Sequence, residues 1–306
     1  MKITNVHNMP EIFVRLVMKE LEGYLPKEDK LRFTVTTLSN PAYKYKLSKK
    51  YSDHPDMVVD VADYFLSFRG QMMHKALQDV GLSNAFQEPR IGLNIDGVWL
   101  SGRPDIIVPR AIEDFKMKTV EAFWNLRDTV IDLEKQFNPY RYILTSVFGM
   151  PIERLTGHIF LMNWTIMKAK TEGNYPAKPH FEIDVPLWSL QDTLAYLKER
   201  INLFCLPIDK VPICTPVERW KRETVFAVRK PGDKKATKNC DTEEQAKEYI
   251  QAVNANKPDN KKVPYEIIEK PGVDVRCTRY CNVNRFCPYW QENYSAVENT
   301  EEESDV

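Results

Sequence analysis

The segment GRPDIIVPRAIEDFKMK, residues 102–118, decides the fold because its apolar stretches predict two consecutive strands. We expect Asp105 near the middle of the first strand, and AIEDFKMK as the second, a short buried strand. Side chains alternate between the two faces of a strand, so Asp114 and Lys116 share one face while Glu113 points the other way. The segment therefore brings a carboxylate and an amine to one side of a sheet.

Both aspartates of this segment lie within apolar runs, where a charged group is costly unless it is paired or bound to a metal ion. Adjacent strands lie about 4.8 Å apart, so Asp105 can stand beside Asp114 if the register allows. Mg²⁺ is typically held by one or two carboxylates, with waters and substrate phosphate oxygens. Such an ion acidifies water and offsets phosphate charge, and Lys116 can stabilise the transition state. The alternative is that the aspartates are solvated strand residues.

The sequence around this segment predicts an α/β core of helix, three strands and helix, with a mixed sheet. A hairpin with its turn at Asp96-Gly97 supplies two of the strands, and TGHIFLMNW, residues 156–164, is expected to form another. The spacing of apolar residues predicts helices over 11–24, 57–80, 120–148 and 190–204.

The C-terminal third has a different pattern. A helix, a hairpin and a second helix are expected over residues 215–270, with Pro231-Gly232 as the hairpin turn. Residues 271–293 show little regular periodicity. This part of the sequence therefore indicates an insertion followed by an irregular region that needs another source of stability.

The charges of the chain are unevenly distributed. Its 43 basic and 43 acidic residues cancel, which by itself argues against a nucleic-acid partner. Residues 295–306, however, carry five acids and no bases, which leaves 43 basic and 38 acidic residues in the rest of the chain. A short acidic end of this kind is typically disordered. Basic residues gather at 44–50 and 219–238, where they form either a nucleic-acid surface or ordinary solvated faces.

The composition is that of an ordinary globular protein, with 43% hydrophobic and 28% charged residues. No apolar run approaches the ~20 residues that span a bilayer. The N-terminus, MKITNVHNMPEIF, lacks the basic-then-apolar layout of a signal peptide. We therefore expect a cytoplasmic protein without a membrane partner.

The cysteines indicate a metal site, because disulfides are rare in the cytosol. Three of the six cluster with the spacing C-x3-C-x5-C, at Cys277, Cys281 and Cys287. A closed site needs a fourth ligand, and Cys214, between two prolines after a predicted helix end, is the best candidate. Zinc and a [4Fe–4S] cluster both accept four cysteines, but the paired C-x2-C knuckles usual in zinc ribbons are absent. Cys205 is interpreted as core packing and Cys240 as an exposed loop thiol.

Several of these motifs resemble one nuclease family. GRPDIIVP and AIEDFKMK look like the second and third motifs of the RecB-type nucleases in the PD-(D/E)XK superfamily. RGQMMHKALQ, residues 69–78, is similar to the first motif, in which a histidine contributes a metal ligand; here that residue is His74. QFNPY matches the Q-x3-Y motif that contacts DNA in that branch, through Gln136 and Tyr140.

The resemblance implies a restriction-endonuclease-like fold, a mixed sheet flanked by helices, and it assigns roles to the motif residues. The catalytic residues would be Asp105, Asp114 and Lys116. The ligands of Mg²⁺ or Mn²⁺ would be His74, Asp105 and Asp114. The residues that position DNA would be Gln136 and Tyr140.

Three positions leave alternatives open. Asn138-Pro139 looks like a helix N-cap followed by proline at the first helical position, so Gln136 would precede the helix unless Pro139 only kinks it. His74, taken alone, also fits a structural histidine on an amphipathic helix. Glu88 lies where relatives often carry an acidic residue, and it also fits a solvated residue at a strand start.

The cysteine arrangement resembles the iron–sulfur staple of RecB-type nucleases such as the AddB helicase–nuclease and the nuclease of CRISPR spacer acquisition. A Cys-Pro pair after the last ligand fits that pattern, and residues 214–251 look like a segment found in phage and prophage members. The resemblance, which covers about residues 30–290, implies a structural [4Fe–4S] cluster, with zinc as the alternative occupant. Its ligands would be Cys214, Cys277, Cys281 and Cys287.

These patterns predict a nuclease core with an N-terminal helical part over residues 1–213. An inserted segment and iron–sulfur region of the same domain would cover 214–293, and a disordered acidic tail 294–306. The resemblance implies a metal-dependent deoxyribonuclease, specifically an exonuclease acting on single-stranded DNA or DNA ends. It would serve phage recombination or replication, or a CRISPR-related process, in the cytoplasm of a bacterial or phage-infected cell, with recombination or CRISPR-adaptation proteins as partners.

Two other classes of function remain. A DNA-binding or assembly protein could keep this fold without cutting, although such proteins tend to lose one of the three catalytic residues, which are all present at Asp105, Asp114 and Lys116. A zinc-stabilised interaction module would explain the cysteines and leave the acidic motifs unexplained.

Overall fold

A computed structural model of the chain describes residues 2–23, 31–81, 83–233 and 235–301. The chain divides into two compact units, Met1–Val211 and Pro212–Val306, called unit 1 and unit 2 below. Both combine helices with β-sheets, so the predicted α/β class is confirmed. Within the part of the chain that the structure describes, no helix has the length and apolar character needed to cross a bilayer.

The strands of unit 1 form three sheets. Their bounds are β1 (Lys2–Thr4), β2 (Arg32–Thr34), β3 (Val58–Asp60), β4 (Phe86–Gln87), β5 (Ile91–Ile95), β6 (Val98–Gly102), β7 (Ile106–Val108), β8 (Ala111–Lys118), β9 (Arg154–Leu161) and β10 (His180–Asp184). The central sheet has the order β10-β9-β8-β7-β4, in which β8 and β9 are parallel and the other pairs antiparallel. The predicted mixed sheet is therefore confirmed. A three-stranded sheet has the order β2-β6-β5, and β1 pairs with β3.

Eight helices accompany these sheets in the described part of unit 1. They are α1 (Glu11–Gly23), α2 (Val35–Ser39), α3 (Ala42–Lys50), α4 (Phe65–Val80), α5 (Glu121–Trp124), α6 (Leu126–Phe148), α7 (Ile166–Thr171) and α8 (Leu190–Cys205). Local capping fixes several ends. The Ser189 hydroxyl accepts a hydrogen bond from the Asp192 N–H at the start of α8, and α6 stops at Gly149, whose φ of 63° favours glycine.

Helix α6 supplies much of the main core. Its buried side chains include Leu133, Phe137 and Tyr140, which join apolar residues from all around unit 1 in one cluster. Two glycines permit its close approach. A Cβ at Gly157 of β9 would meet the Leu133 side chain, and a Cβ at Gly102 of β6 would meet the Tyr140 ring. The helix that carries the Q-x3-Y motif is therefore held tightly against β6, which leads to Asp105, and against β9, the neighbour of β8.

Two element boundaries of unit 1 differ from the prediction. The helix predicted over 57–80 begins only at Phe65, because β3 and a 3-10 turn over Val61–Tyr64 precede it. The strand predicted to contain Asp105 is broken: it ends at Gly102, and β7 resumes at Ile106 in a different sheet. Asp105 consequently lies in a bend between two strands. The hairpin turn at Asp96-Gly97 is confirmed.

Unit 2 is smaller and has its own core. Its strands are β11 (Lys221–Arg222), β12 (Val225–Arg229), β13 (Lys238–Cys240), β14 (Glu266–Lys270) and β15 (Val273–Asp274), and its helices are α9 (Glu243–Asn254), α10 (Val275–Arg279) and α11 (Pro288–Glu301). An antiparallel sheet of order β13-β12-β14 packs against α9 around Val228, Cys240 and Ala246. Strand β11 pairs with β15.

The prediction for residues 215–270 is right in part. The turn at Pro231-Gly232 and the helix that follows are present, whereas the first predicted helix is wrong, because residues 216–220 form turns. Helix α11 continues to Glu301, although a disordered tail was predicted from residue 294. The last five residues of that predicted tail lie outside the described part of the chain.

Candidate active site

The centre of the candidate site is Asp114 on β8, which is only 1% exposed. Its Oδ2 atom is buried, lies 2.5 Å from Lys116 Nζ, and has no hydrogen bond of good geometry to any other residue that the structure describes. Burial raises the pKa of Asp114 to about 6, and the charge of Asp105 adds to this, while Lys116 acts in the opposite direction. Burial and Asp105 thus disfavour the charged form of this carboxylate, and Lys116 only partly compensates for them.

Lys116 is the more exposed member of its ion pair with Asp114. Its side chain is 24% exposed, against 1% for Asp114. Burial by itself would lower the pKa of Lys116, but the neighbouring Asp114 carboxylate outweighs burial and raises it, so the amine is charged. An anion that approaches the site from solvent therefore meets the ammonium before it meets the carboxylate.

Asp105 joins the site from the bend between β6 and β7. Its Oδ2 accepts a hydrogen bond from the Phe115 backbone N–H at 2.7 Å and lies 3.3 Å from His74 Nδ1 of α4. The hydrogen bond to Asp105 raises the pKa of His74, burial partly offsets the rise, and the charges of Asp105 and Asp114 add to it. The structure therefore brings together all four residues that the sequence predicted for the catalytic centre.

Glu88 contributes to this arrangement through its backbone. Its N–H donates to the Asp105 carbonyl at 2.8 Å, and its carboxylate lies 3.1 Å from Arg103 Nη1. The residue has a φ of 44°, which is uncommon for glutamate and costs conformational energy. Glu88 thus contacts both Arg103 and Asp105, the residues on either side of Pro104 in the β6–β7 bend. The predicted strand start at Glu88 is wrong, because β4 ends at Gln87 and β5 begins only at Ile91. The backbone contact to Asp105 depends on the tertiary structure and was not indicated by the sequence.

Gln136 and Tyr140 lie on one continuous helix, so the interpretation of Asn138 as an N-cap is wrong. Helix α6 runs through Pro139, and Gln136 Nε2 donates to the Tyr140 hydroxyl at 3.0 Å. The Asn138 side chain instead accepts from the Trp188 N–H and donates to two backbone carbonyls. The predicted pair therefore shares a face of α6.

Tyr140 is buried, at 2% exposure, and burial raises its pKa. A ring so placed cannot stack on a nucleic-acid base without movement of the surrounding residues. Phe137, on the same helix, lies 5.9 Å from Lys116 Nζ, measured to the centre of its ring. Helix α6 therefore packs beside Lys116.

The four predicted cysteine ligands share one neighbourhood within unit 2. Burial raises the pKa of Cys277 to about 12, and the charges of Cys281, Cys214 and Cys287 contribute to the rise. Hydrogen bonds connect the same segments: Arg219 donates to the Cys214 carbonyl, and the Arg276 N–H, next to Cys277, donates to the Arg219 carbonyl. Thiols gathered in this way can bind a cation once they lose their protons. The donor set therefore fits a metal or an iron–sulfur cluster.

A buried carboxylate organises the segments that carry these cysteines. Asp274, 2% exposed, accepts hydrogen bonds from the hydroxyls of Tyr289 and Tyr294 at 2.8 and 2.9 Å. Arg219 Nε lies 3.1 Å from Asp274 Oδ1, and Arg219 also donates to the Cys214 carbonyl. The Arg219 guanidinium lies 4.1 Å from the Tyr289 ring centroid. This network links the Cys214 segment to the C-terminal segment, and nothing in the local sequence indicated it.

The two remaining cysteines occupy environments opposite to those predicted. Cys205 on α8 is exposed, although core packing was expected. Cys240 is 6% exposed and packs in the small core of unit 2, although an exposed loop thiol was expected. The polar sequence around Cys240 concealed a strand whose inner face packs on α9.

Comparisons with known proteins add little to what the geometry of the candidate site indicates. No protein-family model matches the chain, and no curated protein matches it. The crystal structure of SSO0001 is similar at 18% identity and a TM-score of 0.43, covering 64% of this chain and 87% of that chain. A phage-related exonuclease from Haemophilus somnus 129PT is similar at 11% identity and a TM-score of 0.27, covering 63% and 77%. Sequence identities and TM-scores this low do not indicate a function, so the function has to be inferred from the residues of the site.

Proposed function

We propose that the chain is a divalent-metal-dependent deoxyribonuclease of the RecB-like PD-(D/E)XK type, acting as an exonuclease on single-stranded DNA or DNA ends. The observation that carries the proposal is the buried Asp114 carboxylate, paired with Lys116 and placed beside Asp105 and His74. The order of these residues in the sequence is that of the family motifs. Phage recombination or replication, or a CRISPR-related process, is the setting that the resemblance favours.

The residues present fit a divalent cation. Asp114 Oδ2 is buried without a well-formed hydrogen bond, and the charge of Asp105 raises the pKa of Asp114 beyond the effect of burial. Two carboxylates in one site repel each other, and a cation removes that repulsion. Carboxylate oxygens are the ligands that Mg²⁺ and Mn²⁺ prefer. His74 supplies a nitrogen ligand once its proton is displaced.

Each side chain has a separable task in this proposal. Asp114 and Asp105 hold the cation, and the Phe115 N–H fixes the orientation of Asp105. When bound, the cation offsets the charge of the scissile phosphate and acidifies the attacking water. Lys116, the more exposed member of its pair, binds the phosphate and stabilises the charge that develops in the transition state.

Gln136 and Tyr140 act as positioning residues in the proposed enzyme. The Tyr140 hydroxyl accepts from Gln136 Nε2, and Phe137 on the same helix lies 5.9 Å from Lys116 Nζ. Because Tyr140 is buried, its contribution is to hold the amine in place, not to stack on bases. A displacement of the reacting groups by about 1 Å can cost ~100-fold in rate, so such support has a large effect.

The proposal is tested by incubating the purified protein with labelled single-stranded, duplex and flapped DNA in Mn²⁺ or Mg²⁺. We expect cleavage that stops when the metal is chelated. Binding is measured separately by fluorescence anisotropy in Ca²⁺, where it should weaken as salt increases, because phosphate contacts release counterions. Salt-sensitive binding with no cleavage of any of the three substrates would favour the DNA-binding or assembly protein instead.

The cysteine site is proposed to hold a structural [4Fe–4S] cluster in unit 2. The four ligands would be Cys214, Cys277, Cys281 and Cys287. A tetrahedral zinc ion with Zn–S bonds of about 2.3 Å would place its sulfurs about 3.8 Å apart. The paired C-x2-C knuckles usual in zinc ribbons are absent from the sequence, which favours the cluster over a zinc ion.

Protein purified without oxygen should be brown and contain about four irons per chain. Cys281→Ala should bleach the protein and destabilise it, because metal-binding energy is part of folding energy. Cys205→Ala is the control: this thiol is exposed on α8, and its loss should leave the iron content unchanged. Stoichiometric zinc without iron in the wild-type protein would contradict the assignment.

A further inference from the structure

A second cluster of metal-binding side chains lies on the face of the central sheet opposite Asp114. Strand alternation places Asp114 on one face of β8 and Phe115 on the other. His158 of β9 is in register with Phe115, and Glu182 of β10 is in register with His158, so these side chains share that face. His180, two residues before Glu182, shares it as well. The cluster is therefore separate from the candidate active site.

The potential ligand atoms of this cluster lie close together. His158 Nδ1 is 3.3 Å from His180 Nε2 and 3.7 Å from Glu182 Oε1. One ligand atom from each of the three residues lies within 4.8 Å of the other two. A tetrahedral zinc ion with ligand bonds of about 2.0–2.1 Å separates its ligands by about 3.3 Å. The two distances, 3.3 and 3.7 Å, are close to this ligand–ligand separation, so a zinc ion would require little movement of the side chains.

The surroundings of His158 orient its ring as the ring of a metal ligand is usually oriented. Its second nitrogen, Nε2, is buried, lies 3.4 Å from Glu113 Oε2, and makes no well-formed hydrogen bond within the described chain. Ligating histidines commonly direct this second N–H at a carboxylate. The ring stacks on Phe115 at 5.0 Å, and Arg154 holds Glu113 at 3.2 Å. This leaves His158 Nδ1 facing the other two ligands.

We propose that His158, His180 and Glu182 form a binding site for a divalent transition-metal cation of the zinc class, with water in the fourth position. Two imidazoles and one carboxylate are a donor set that zinc accepts, whereas Mg²⁺ prefers oxygen ligands alone. The site links edge strand β10 to β9 and has no part in the proposed DNA cleavage. The Glu182 side chain is 61% exposed, which leaves a path for the ion.

The contact between the two histidines allows two explanations. Without an ion, the 3.3 Å contact between His158 Nδ1 and His180 Nε2 would be a single hydrogen bond between the two imidazole rings. A metal site predicts stoichiometric zinc binding that depends on all three side chains, whereas a hydrogen-bonded pair predicts none, so a zinc titration distinguishes the two.

The test is isothermal titration of ZnCl₂ into the full chain, purified with its cysteine site loaded and carrying Asp114→Asn to weaken the proposed catalytic metal site. We expect one equivalent of zinc to bind and the thermal midpoint to rise with zinc concentration. Adding His180→Gln or Glu182→Gln should weaken zinc binding at least ~10-fold and remove the rise in midpoint. Glu113→Gln should weaken it by about 10–100-fold, as loss of a carboxylate behind a metal ligand commonly does.

His54→Gln is the matched control. His54 lies 3.7 Å from Asp56, so it is also a histidine beside a carboxylate, but it lies outside the cluster. Its substitution should leave zinc affinity unchanged. Glu182 is exposed, so its variant should fold normally, and circular dichroism checks this. Absence of zinc binding at ~100 µM, or a tight equivalent that survives both His180→Gln and Glu182→Gln, would overturn the proposal.

Discussion

Asp114→Asn is expected to lower DNA cleavage by about two or more orders of magnitude, which is the usual cost of removing a group that stabilises the transition state. The amide keeps the shape of the side chain but cannot offer a charged oxygen to the cation. The pKa of Asp114 is raised to about 6, so its surroundings disfavour the ionised form, and the neutral amide should leave the fold intact. Single-turnover cleavage in Mn²⁺ measures the loss of activity, and circular dichroism checks that the fold is intact.

The control for this variant is Asp96→Asn. Asp96 occupies the exposed hairpin turn with a φ of 50°, a conformation that asparagine adopts readily. The same chemical change should therefore leave cleavage near the wild-type rate. If Asp114→Asn cleaved DNA as fast as Asp96→Asn does, Asp114 would not be a metal ligand, and the proposed centre would be wrong.

The sequence predicted the part of this centre that depends on strand periodicity. Asp114 and Lys116 lie on β8 as expected, because the apolar residues of AIEDFKMK favour a strand and alternate side chains of a strand share a face. The sequence did not predict the break in the strand before Asp105. Pro104 carries no backbone N–H and so cannot continue a hydrogen-bonded ladder, yet an apolar run on its far side concealed the interruption.

Contacts between residues distant in the sequence explain the other differences between the predicted and the observed structure. Asn138-Pro139 has the local chemistry of a helix start, but Asn138 is fully buried and bonded to Pro186 and Trp188, almost fifty residues further along the chain. These distant contacts and the packing of α6 keep the helix continuous through the proline. A local pattern cannot contain that information.

The same limit applies to pairs of charged or polar residues that are distant in sequence. Arg219 was one of many residues in a basic stretch, and Asp274 stood in a region without periodicity. Their contact joins positions that no repeat or motif relates. The pairing of His158 with His180 likewise depends on β9 and β10 being neighbours in the central sheet.

Asp274→Ala is expected to destabilise unit 2 by about 3–5 kcal/mol, since removal of one partner of a buried ion pair leaves the other charge uncompensated. The Arg219 side chain is 11% exposed and would lose its carboxylate, while the hydroxyls of Tyr289 and Tyr294 would lose their acceptor. Hydrogen exchange of the full chain, followed by mass spectrometry of peptides from residues 212–301, measures the loss. Asp233→Ala, an exposed aspartate in the same unit, should change exchange little.

The destabilisation should depend on pH in one direction. Burial alone would raise the pKa of Asp274, but the hydrogen bonds from Tyr289, Tyr294 and Arg219 outweigh burial and lower it below the ordinary value of 3.8. A carboxylate with a lowered pKa stabilises the fold above that ordinary value, and this contribution disappears as the pH falls through the folded pKa. The difference between wild type and Asp274→Ala should therefore be largest at neutral pH and should shrink below about pH 4.

A double variant separates the buried charge from the lost hydrogen bonds. If the uncompensated guanidinium is the main cost, Asp274→Ala combined with Arg219→Met should be more stable than Asp274→Ala alone, because neither charge then remains buried. The two tyrosine hydroxyls stay without their acceptor in both proteins, so that cost cancels in the comparison. Arg219→Met also removes the hydrogen bond from Arg219 to the Cys214 carbonyl. A double variant no more stable than Asp274→Ala would therefore show that the uncompensated guanidinium costs no more than this bond contributes, which contradicts the ion-pair explanation.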